Sequence, residues 1–508
     1  MCGIAGVWAE SDLAPVREMI AVQAHRGPDG HGFHDQAGQG LLGHTRLAII
    51  DPAHGQQPID NESRSSVIVA NGEVYNHADL RRNLVHDHRF GSTSDIETVL
   101  HLFEEQGLNA VPKLDGMFAL AIADDDALLL ARDPIGIKPL YVGYKQRADD
   151  RRALYFASEL KALVKWADEV EEFPPGTYYH SQQGFRRYYA VPKQAPRPDV
   201  PVEEQIRAVR ATLEAAVTKR LMSDVPLGAF LSGGLDSSII AAIARQQMDE
   251  LHTFSVGIEG ARDLAAARVV ADHIGSIHHE YVYTAADVLA ALPEVLYYLE
   301  SFDQDLVRSA IPTYFCSRLA ADYVKVILTG EGADELFAGY TYYKGIDDFD
   351  ALHHELHRSV TSLHNLNLQR VDRMNMRHSI EGRVPFLDTT LVELAQTIPA
   401  ERKLRRTPDG RQTEKWILRK AVEDLLPAEI VWRAKEQFDE GSGTVDLLDQ
   451  VLHDAAADLD WRAYAAAHPA DRLRSREECY YHQLLSQAFP AADREKVLRN
   501  VGRWKGQD

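Results

Sequence analysis

Cysteine is scarce in this chain. Only Cys2, Cys316 and Cys479 occur among 508 residues, and no two of them form a Cys-x-x-Cys pair. A disulfide framework or a cysteine-built zinc site is thereby excluded. Two of the three read as small buried hydrophobes, and the usage fits a reducing cytoplasm. Positive charge is short as well: 55 Lys and Arg against 76 Asp and Glu give a formal net charge of -21. That balance excludes a broad basic face for nucleic acid, while leaving room for a local basic pocket around a nucleotide. The sequence has no basic leader and no apolar run of spanning length, so it predicts neither a signal peptide nor a membrane partner. Internal repeats and low-complexity tracts are also missing.

What is present is an ordinary globular composition, 45% hydrophobic and 26% charged, long enough for two large domains or three smaller ones. Short apolar runs at 3–8, 41–50, 66–74, 117–124, 127–132 and 154–157 predict strands in an α+β domain over 1–190. Ser94-Asp95-Ile96-Glu97 has the form of a capping box ahead of an apolar helix. Four prolines within 191–204 mark a linker. Beyond it, strands at 227–231, 252–256, 279–282 and 324–329 alternate with helices. That alternation predicts a doubly wound parallel sheet within a second domain over 205–508. The overall class is α/β.

Cys2 follows the initiator methionine. Once Met1 is removed, a thiol and a free α-amine belong to one residue, and the amine, with a pKa near about 8, can act as base for its own side chain. On its own, Cys2 could equally be an unremarkable residue near a start codon. Asn71-Gly72-Glu73 reads on its own as a hairpin turn, or else as an amide and a backbone N–H aimed at an oxyanion.

The segments MCGIAG, HRGPDG, GHTRLAIID, VANGEVYN and TSDIETV occur in this order. Together they resemble the glutaminase domain of class II amidotransferases, layered αββα proteins with an N-terminal nucleophile. The resemblance spans 1–190 and implies that Cys2 attacks the side-chain amide of glutamine and releases ammonia. Asn71 and Gly72 would form the oxyanion hole and Arg46 would pair with the glutamine carboxylate. Glu73 and Asp95 would meet its ammonium, and Leu47, Ala48, Ile49 and Ile50 would line the pocket.

A second motif, Ser232-Gly233-Gly234-Leu235-Asp236-Ser237-Ser238, runs from a predicted strand into a predicted helix. Glycines let backbone N–H groups turn toward phosphate oxygens, and Asp236 can hold magnesium. The Gly-Lys-Ser/Thr ending of the kinase-type loop is missing. Thr329-Gly330-Glu331-Gly332-Ala333-Asp334-Glu335 repeats the pattern with three carboxylates, which suit a metal beside polyphosphate. The first loop resembles that of ATP pyrophosphatases. The pair of loops, with Glu381-Gly382-Arg383-Val384-Pro385 and Arg433-Ala434-Lys435-Glu436, is similar to the asparagine synthetases, to about residue 440.

The synthetase resemblance implies ATP and Mg2+, aspartate as acceptor, a homodimer, and internal passage of ammonia. Phe230, Leu231, Ser232, Gly233, Gly234, Ser237, Val256, Thr329 and Gly330 would hold ATP. Asp236 and Asp334 would contact the metal, Lys435 would neutralise pyrophosphate, and Glu331 would serve the aspartyl-AMP step. Arg383 and Arg308 are further candidates for the acceptor or phosphates. Asp305 stands where related synthetases carry hydroxyl residues, and Thr329 and Ala333 replace serines. A different acceptor carboxylate, or a non-catalytic glutamine or nucleotide sensor, are the alternatives these departures leave.

Overall fold

The computed structural model describes residues 2–503 except 11, 13, 37 and 148–151, so Met1, on whose removal the amine of Cys2 depends, lies outside the described residues. The first half stacks two antiparallel sheets. One runs Glu169–Glu172, Tyr141–Gln146, Arg152–Ala157, Cys2–Trp8, Gly40–Arg46, Gly30–Gln36. The other runs Gly184–Arg187, Thr177–His180, Ala127–Arg132, Gly116–Asp124, Ser66–Val74, Ile59–Asp60.

Alternation sends one set of side chains inward, so Ile4, Leu42, Val69, Ala121, Leu130 and Phe156 form a dry layer between the sheets. Helix Ala14–Val22 covers the outer face of the first sheet and helix Asp95–Gln106 that of the second. The result is the layered αββα arrangement.

The second half is built on a five-stranded parallel sheet. Its order is Ile277–Val282, His252–Gly257, Leu227–Phe230, Val326–Leu328, Glu381–Arg383. Helices Leu235–Arg245, Arg262–Ile274 and Gln304–Ala320 pack against it, and most of the chain beyond residue 340 is helical.

Two local expectations fail. The 41–50 run pairs only as far as Arg46, because Leu47, Ala48, Ile49 and Ile50 leave the sheet. Ser94 caps by accepting from Ile96 N at 3.3 Å, but there is no reciprocal capping box. Glu97 instead accepts from the N–H groups of Gly91 and Ser92 at 2.6 and 2.7 Å. The proline-rich segment 191–204 is pinned along its length to the second half. Arg402 donates to the carbonyls of Pro198 and Val200 at 2.9 and 2.7 Å, and Arg197 N donates to Thr397 O at 2.8 Å.

Candidate active sites

Cys2 opens a central strand and is 7% exposed. Its main-chain nitrogen donates to Asn71 Oδ1 at 3.0 Å. The other end of that amide, Asn71 Nδ2, is buried without a hydrogen-bond partner. An orphaned donor beside a thiol is what an incoming oxyanion requires. Burial pushes the Cys2 thiol above its ordinary value, so a neutral thiol waits there for a base.

Asn71 and Gly72 make no hairpin; strand Ser66–Val74 runs straight through them. Gly72 holds φ at +141°, and a Cβ there would lie 1.9 Å from Met117 O. Only glycine lets this strand lie so close to its neighbour while turning its N–H.

The other expected glutaminase residues gather around Cys2. Arg46 pairs in register with it and donates to the carbonyls of Asp51 and Pro52 at 2.7 and 3.0 Å. Leu47 O lies 4.0 Å from the Cys2 sulfur. Asp95 accepts from Val74 N at 2.7 Å. Glu73 is buried with Oε2 unpartnered. Burial, with Glu381 and Asp95 close by, holds its carboxyl well above the usual range. Arg26, unassigned from sequence, donates through Nε to Cys2 O at 3.0 Å.

The second group lines a cavity of about 530 Å³, a size that suits a nucleotide-like ligand. Phe230, Leu231, Ser232, Gly234, Asp236 and Ser237 form one wall; Thr329, Gly330, Glu331, Asp334 and Lys435 form another. Gly234 caps helix Leu235–Arg245 with no side chain, leaving its first N–H groups free for an anion. Asp236 Oδ1 and Thr329 Oγ1 are buried without hydrogen-bond partners.

Gly233 does not line the cavity. It packs on Ala266 and Ala267, where a Cβ would come within 2.5 Å. Val256 is buried on its strand, while its neighbours Phe254 and Ser255 reach the cavity.

Two arginines lie elsewhere than expected. Arg308 forms a bidentate pair with Glu477, at 2.9 and 2.5 Å. Arg383 is fully buried and donates to Glu381 at 2.5 Å and to the carbonyls of Arg220 and Met222. It points toward the first site, 3.8 Å from Glu73. Asp305 does reach the cavity, with Arg474 at 3.5 Å.

Sequence reading missed Lys415. Its ammonium lies 2.5 Å from both Asp236 and Asp334, so the two loops converge on one cation. Lys435 adds a second, 2.9 Å from Asp334. Burial works against the charge of Lys435, but Asp334 and Asp236 overcome it and hold its ammonium above the usual range. Lys415 also holds φ at +55°, a conformation kept only where surrounding structure enforces it. No motif surrounds it in sequence. Arg370, likewise missed, donates to Glu331 at 2.5 Å.

Strand Glu381–Arg383 touches both groups. It lies beside the strand that feeds the second loop, and Arg383 O accepts from Thr329 N at 2.9 Å. Lys138 of the first half donates to Gly382 O at 3.2 Å. Around it a buried ionic net crosses between halves. Arg26 holds Asp372 at 2.8 and 3.0 Å, and Arg373 holds Glu300 at 3.0 Å and Ser158 O at 3.2 Å.

Comparison with known proteins accords with this layout. The glutamine amidotransferase domain model matches residues 1–220, and the asparagine synthase model matches 208–347 and 346–506. Glutamine-hydrolysing asparagine synthetase 2 of Lotus japonicus is 39% identical over 517 residues, covering 96% of this chain and 86% of that protein. Glutamine-hydrolysing asparagine synthetase 1 of Arabidopsis thaliana is 37% identical over 517 residues, covering 96% and 87%. Among solved structures, a glutamine phosphoribosylpyrophosphate amidotransferase from B. subtilis is similar at 22% identity and TM-score 0.33, over 50% of this chain and 65% of that one. No helix among the described residues is long and apolar enough to cross a membrane. With near-full-length relatives and both domain models in register, the chain belongs to the glutamine-hydrolysing asparagine synthetase family.

Proposed function

We propose that this chain makes asparagine from aspartate, ATP and glutamine, with AMP, pyrophosphate and glutamate as the other products. Residues 1–190 would act as the glutaminase and 205–508 as the synthetase, joined by the strap 191–204. The observation that carries this reading is the strand Glu381–Arg383, which lies 3.8 Å from Glu73 of the Cys2 site and accepts a hydrogen bond from Thr329 in the wall of the nucleotide-sized cavity.

At the first site, the Cys2 thiolate attacks the amide carbon of glutamine. The Cys2 nitrogen, an α-amine once Met1 is gone, takes the thiol proton. Asn71 Nδ2 and Gly72 N–H receive the developing oxyanion. Arg46, Glu73 and Asp95 hold the two ends of the amino acid. The α-ammonium returns that proton to the amide nitrogen, ammonia leaves as the thioester forms, and water then frees glutamate and restores the thiol. Ammonia then passes internally toward the cavity, where it stays unprotonated and concentrated.

At the second site, a β-carboxylate oxygen of aspartate attacks the α-phosphorus of ATP and displaces pyrophosphate. Ammonia attacks the acyl carbon of the aspartyl-AMP, and AMP leaves. Lys435 and Lys415 disperse phosphate charge, and Glu331, held by Arg370, faces the acyl transfer.

Asp236 and Asp334 would hold Mg2+. Asp236 Oδ1 is buried and unpartnered, and Asp334 lies across the Lys415 ammonium from it, so the pair supplies the carboxylate oxygens that a hard cation prefers. Bound there, the ion would neutralise polyphosphate charge. The three free buried cysteines support a cytoplasmic setting, and family resemblance supports a homodimer.

The test is an assay with ATP, magnesium, glutamine and aspartate that detects asparagine, AMP and pyrophosphate, with Cys2→Ala in parallel. The reading holds if wild type makes asparagine and Cys2→Ala does so only from added ammonium. Glutamine hydrolysis without asparagine would reject aspartate as acceptor.

A further inference from the structure

Away from both sites, on the outer face of the first half, two histidines and four glutamates crowd together. Helix Asp95–Gln106 supplies Glu97, His101, Glu104 and Glu105. The irregular segment 83–94 supplies His88, and the turn after strand Ile59–Asp60 supplies Glu62.

Ligand atoms from Glu62, His88, His101 and Glu104 all lie within 4.8 Å of one another. His101 Nδ1 is 2.6 Å from Glu104 Oε2 and 3.8 Å from Glu62 Oε2. His88 Nδ1 is 3.4 Å from Glu62 Oε1 and 3.7 Å from Glu104 Oε2. Four ligands around zinc at about 2.0–2.2 Å would be separated by about 3.3–3.6 Å. The edges at 3.4, 3.7 and 3.8 Å lie within a few tenths of an ångström of that range, the two from Glu62 running to its two different oxygens, while the 2.6 Å edge between His101 and Glu104 must open by about 0.7 Å.

A second observation is independent of that spacing. Metal-binding histidines nearly always turn their other ring nitrogen to a carboxylate that fixes the tautomer. His88 follows this pattern, its Nε2 lying 3.3 Å from Glu105 Oε1, whereas His101 Nε2 is buried without a hydrogen-bond partner and faces Glu97 Oε1 at 3.8 Å.

The backing carboxylates are themselves anchored. Glu105 accepts from the N–H groups of Val85 and His86, both at 2.7 Å, and Glu97 from those of Gly91 and Ser92. The outer oxygen of Glu104 is held by Asn61 Nδ2 at 2.7 Å, which aims Oε2 at the histidines. Among the described residues no lysine or arginine side chain forms an ion pair with any of the four glutamates. Buried His101 therefore keeps its proton more tightly than usual: burial opposes the charge, but Glu97 and Glu104 outweigh it.

We propose that Glu62, His88, His101 and Glu104 form a binding site for a divalent transition cation, Zn2+ being the best fit to two imidazole and two carboxylate ligands. Magnesium, which seeks all-oxygen octahedral shells, is the wrong ion for it. Occupancy would clip segment 83–94 to the helix. That segment runs on through Thr93, whose N–H donates to Asp51 Oδ2 at 2.8 Å, into Ser94 and Asp95, so the clip would brace the approach to the Cys2 site.

The test is calorimetric titration of ZnCl2 into the full chain after chelator treatment, with millimolar MgCl2 present throughout. Wild type should take up one zinc per chain at this site, and His88→Gln/His101→Gln should lose that uptake. Glu105→Gln, which touches no metal, should weaken binding by about 10–100-fold. Zinc-edge X-ray absorption of the wild type should give a nitrogen and oxygen shell near about 2.0 Å without sulfur at about 2.3 Å, a readout that needs no variant to fold. No stoichiometric uptake, uptake unchanged in the double variant, or a sulfur ligand would each overturn the proposal.

Discussion

Replacing Lys415 with methionine should strip the charge from the point where the two phosphate-type loops meet while keeping the length of the side chain. In the native protein its ammonium lies 2.5 Å from Asp236 and from Asp334. At an effective dielectric of about 20, each contact is worth about 6–7 kcal/mol before desolvation. Burial of the ammonium offsets several kcal/mol of this, and breaking a buried pair from one side costs about 3–5 kcal/mol net. Lys435 remains, 2.9 Å from Asp334 and 3.7 Å from Asp236, and compensates in part. The expected loss is therefore at the low end, about 3 kcal/mol.

The sign with pH follows from Asp334. Burial opposes its charge, but Lys415 and Lys435 hold its carboxyl well below the usual range. The stability it lends is thus complete above the unfolded value near about 4 and is lost only as pH falls further, so wild type is flat in this respect from about pH 5 to 8. In Lys415→Met the carboxyl of Asp334 takes up a proton more readily, and the deficit narrows toward pH 5. Urea unfolding at pH 8 and pH 5, followed by tryptophan fluorescence and converted with a common slope, measures both. A deficit below about 0.5 kcal/mol at pH 8, the scale of an ordinary surface change, would refute the claim that Lys415 holds the loops together.

Asn71→Ala should lower the glutamine hydrolysis rate by about 10²–10³-fold and leave ammonium-dependent synthesis unchanged; an equal fall in both rates would count against an oxyanion role. Gly72→Ala would place a Cβ against Met117 O at φ +141°, costing at least about 3 kcal/mol; a thermal unfolding temperature equal to wild type would contradict this. Burial, with Asp334 and Glu331 adjacent, pushes Glu335 up to about 7. The folded state then holds a proton that the unfolded chain has released, so wild type loses up to about 3 kcal/mol as pH rises from about 4.5 to about 7. Glu335→Gln should flatten that slope in pH-dependent unfolding, and parallel profiles would show that Glu335 does not titrate there.

Segments whose structure follows from their own apolar pattern were legible. Ser66–Val74 and Ala127–Arg132 appear with the bounds their runs suggest. So were the residues inside long motifs: Cys2, Asn71 and Arg46 do meet, as do Asp236, Asp334 and Lys435. What escaped depends on partners far along the chain. Glu381–Arg383 is a three-residue strand with charged ends, and only its neighbour Val326–Leu328 makes it one. Arg383 reads as a ligand for the acceptor or the phosphates, yet carbonyls of residues 220 and 222 claim its guanidinium. Glu97 satisfies the capping-box pattern but finds nearer N–H donors in the preceding segment.

The buried guanidinium of Arg26 has one further consequence. It grips the strand that carries the nucleophile with one nitrogen and, with the others, Asp372 of the opposite half and Glu159 of its own. A glutaminase cut free at the strap would keep Glu159 on that guanidinium but lose Asp372 from it, and would expose the lysine that had been docked on Gly382. The first half is thus built to be incomplete without the second. Exchange of halves with a distant relative should therefore work best where these few ionic partners travel with them.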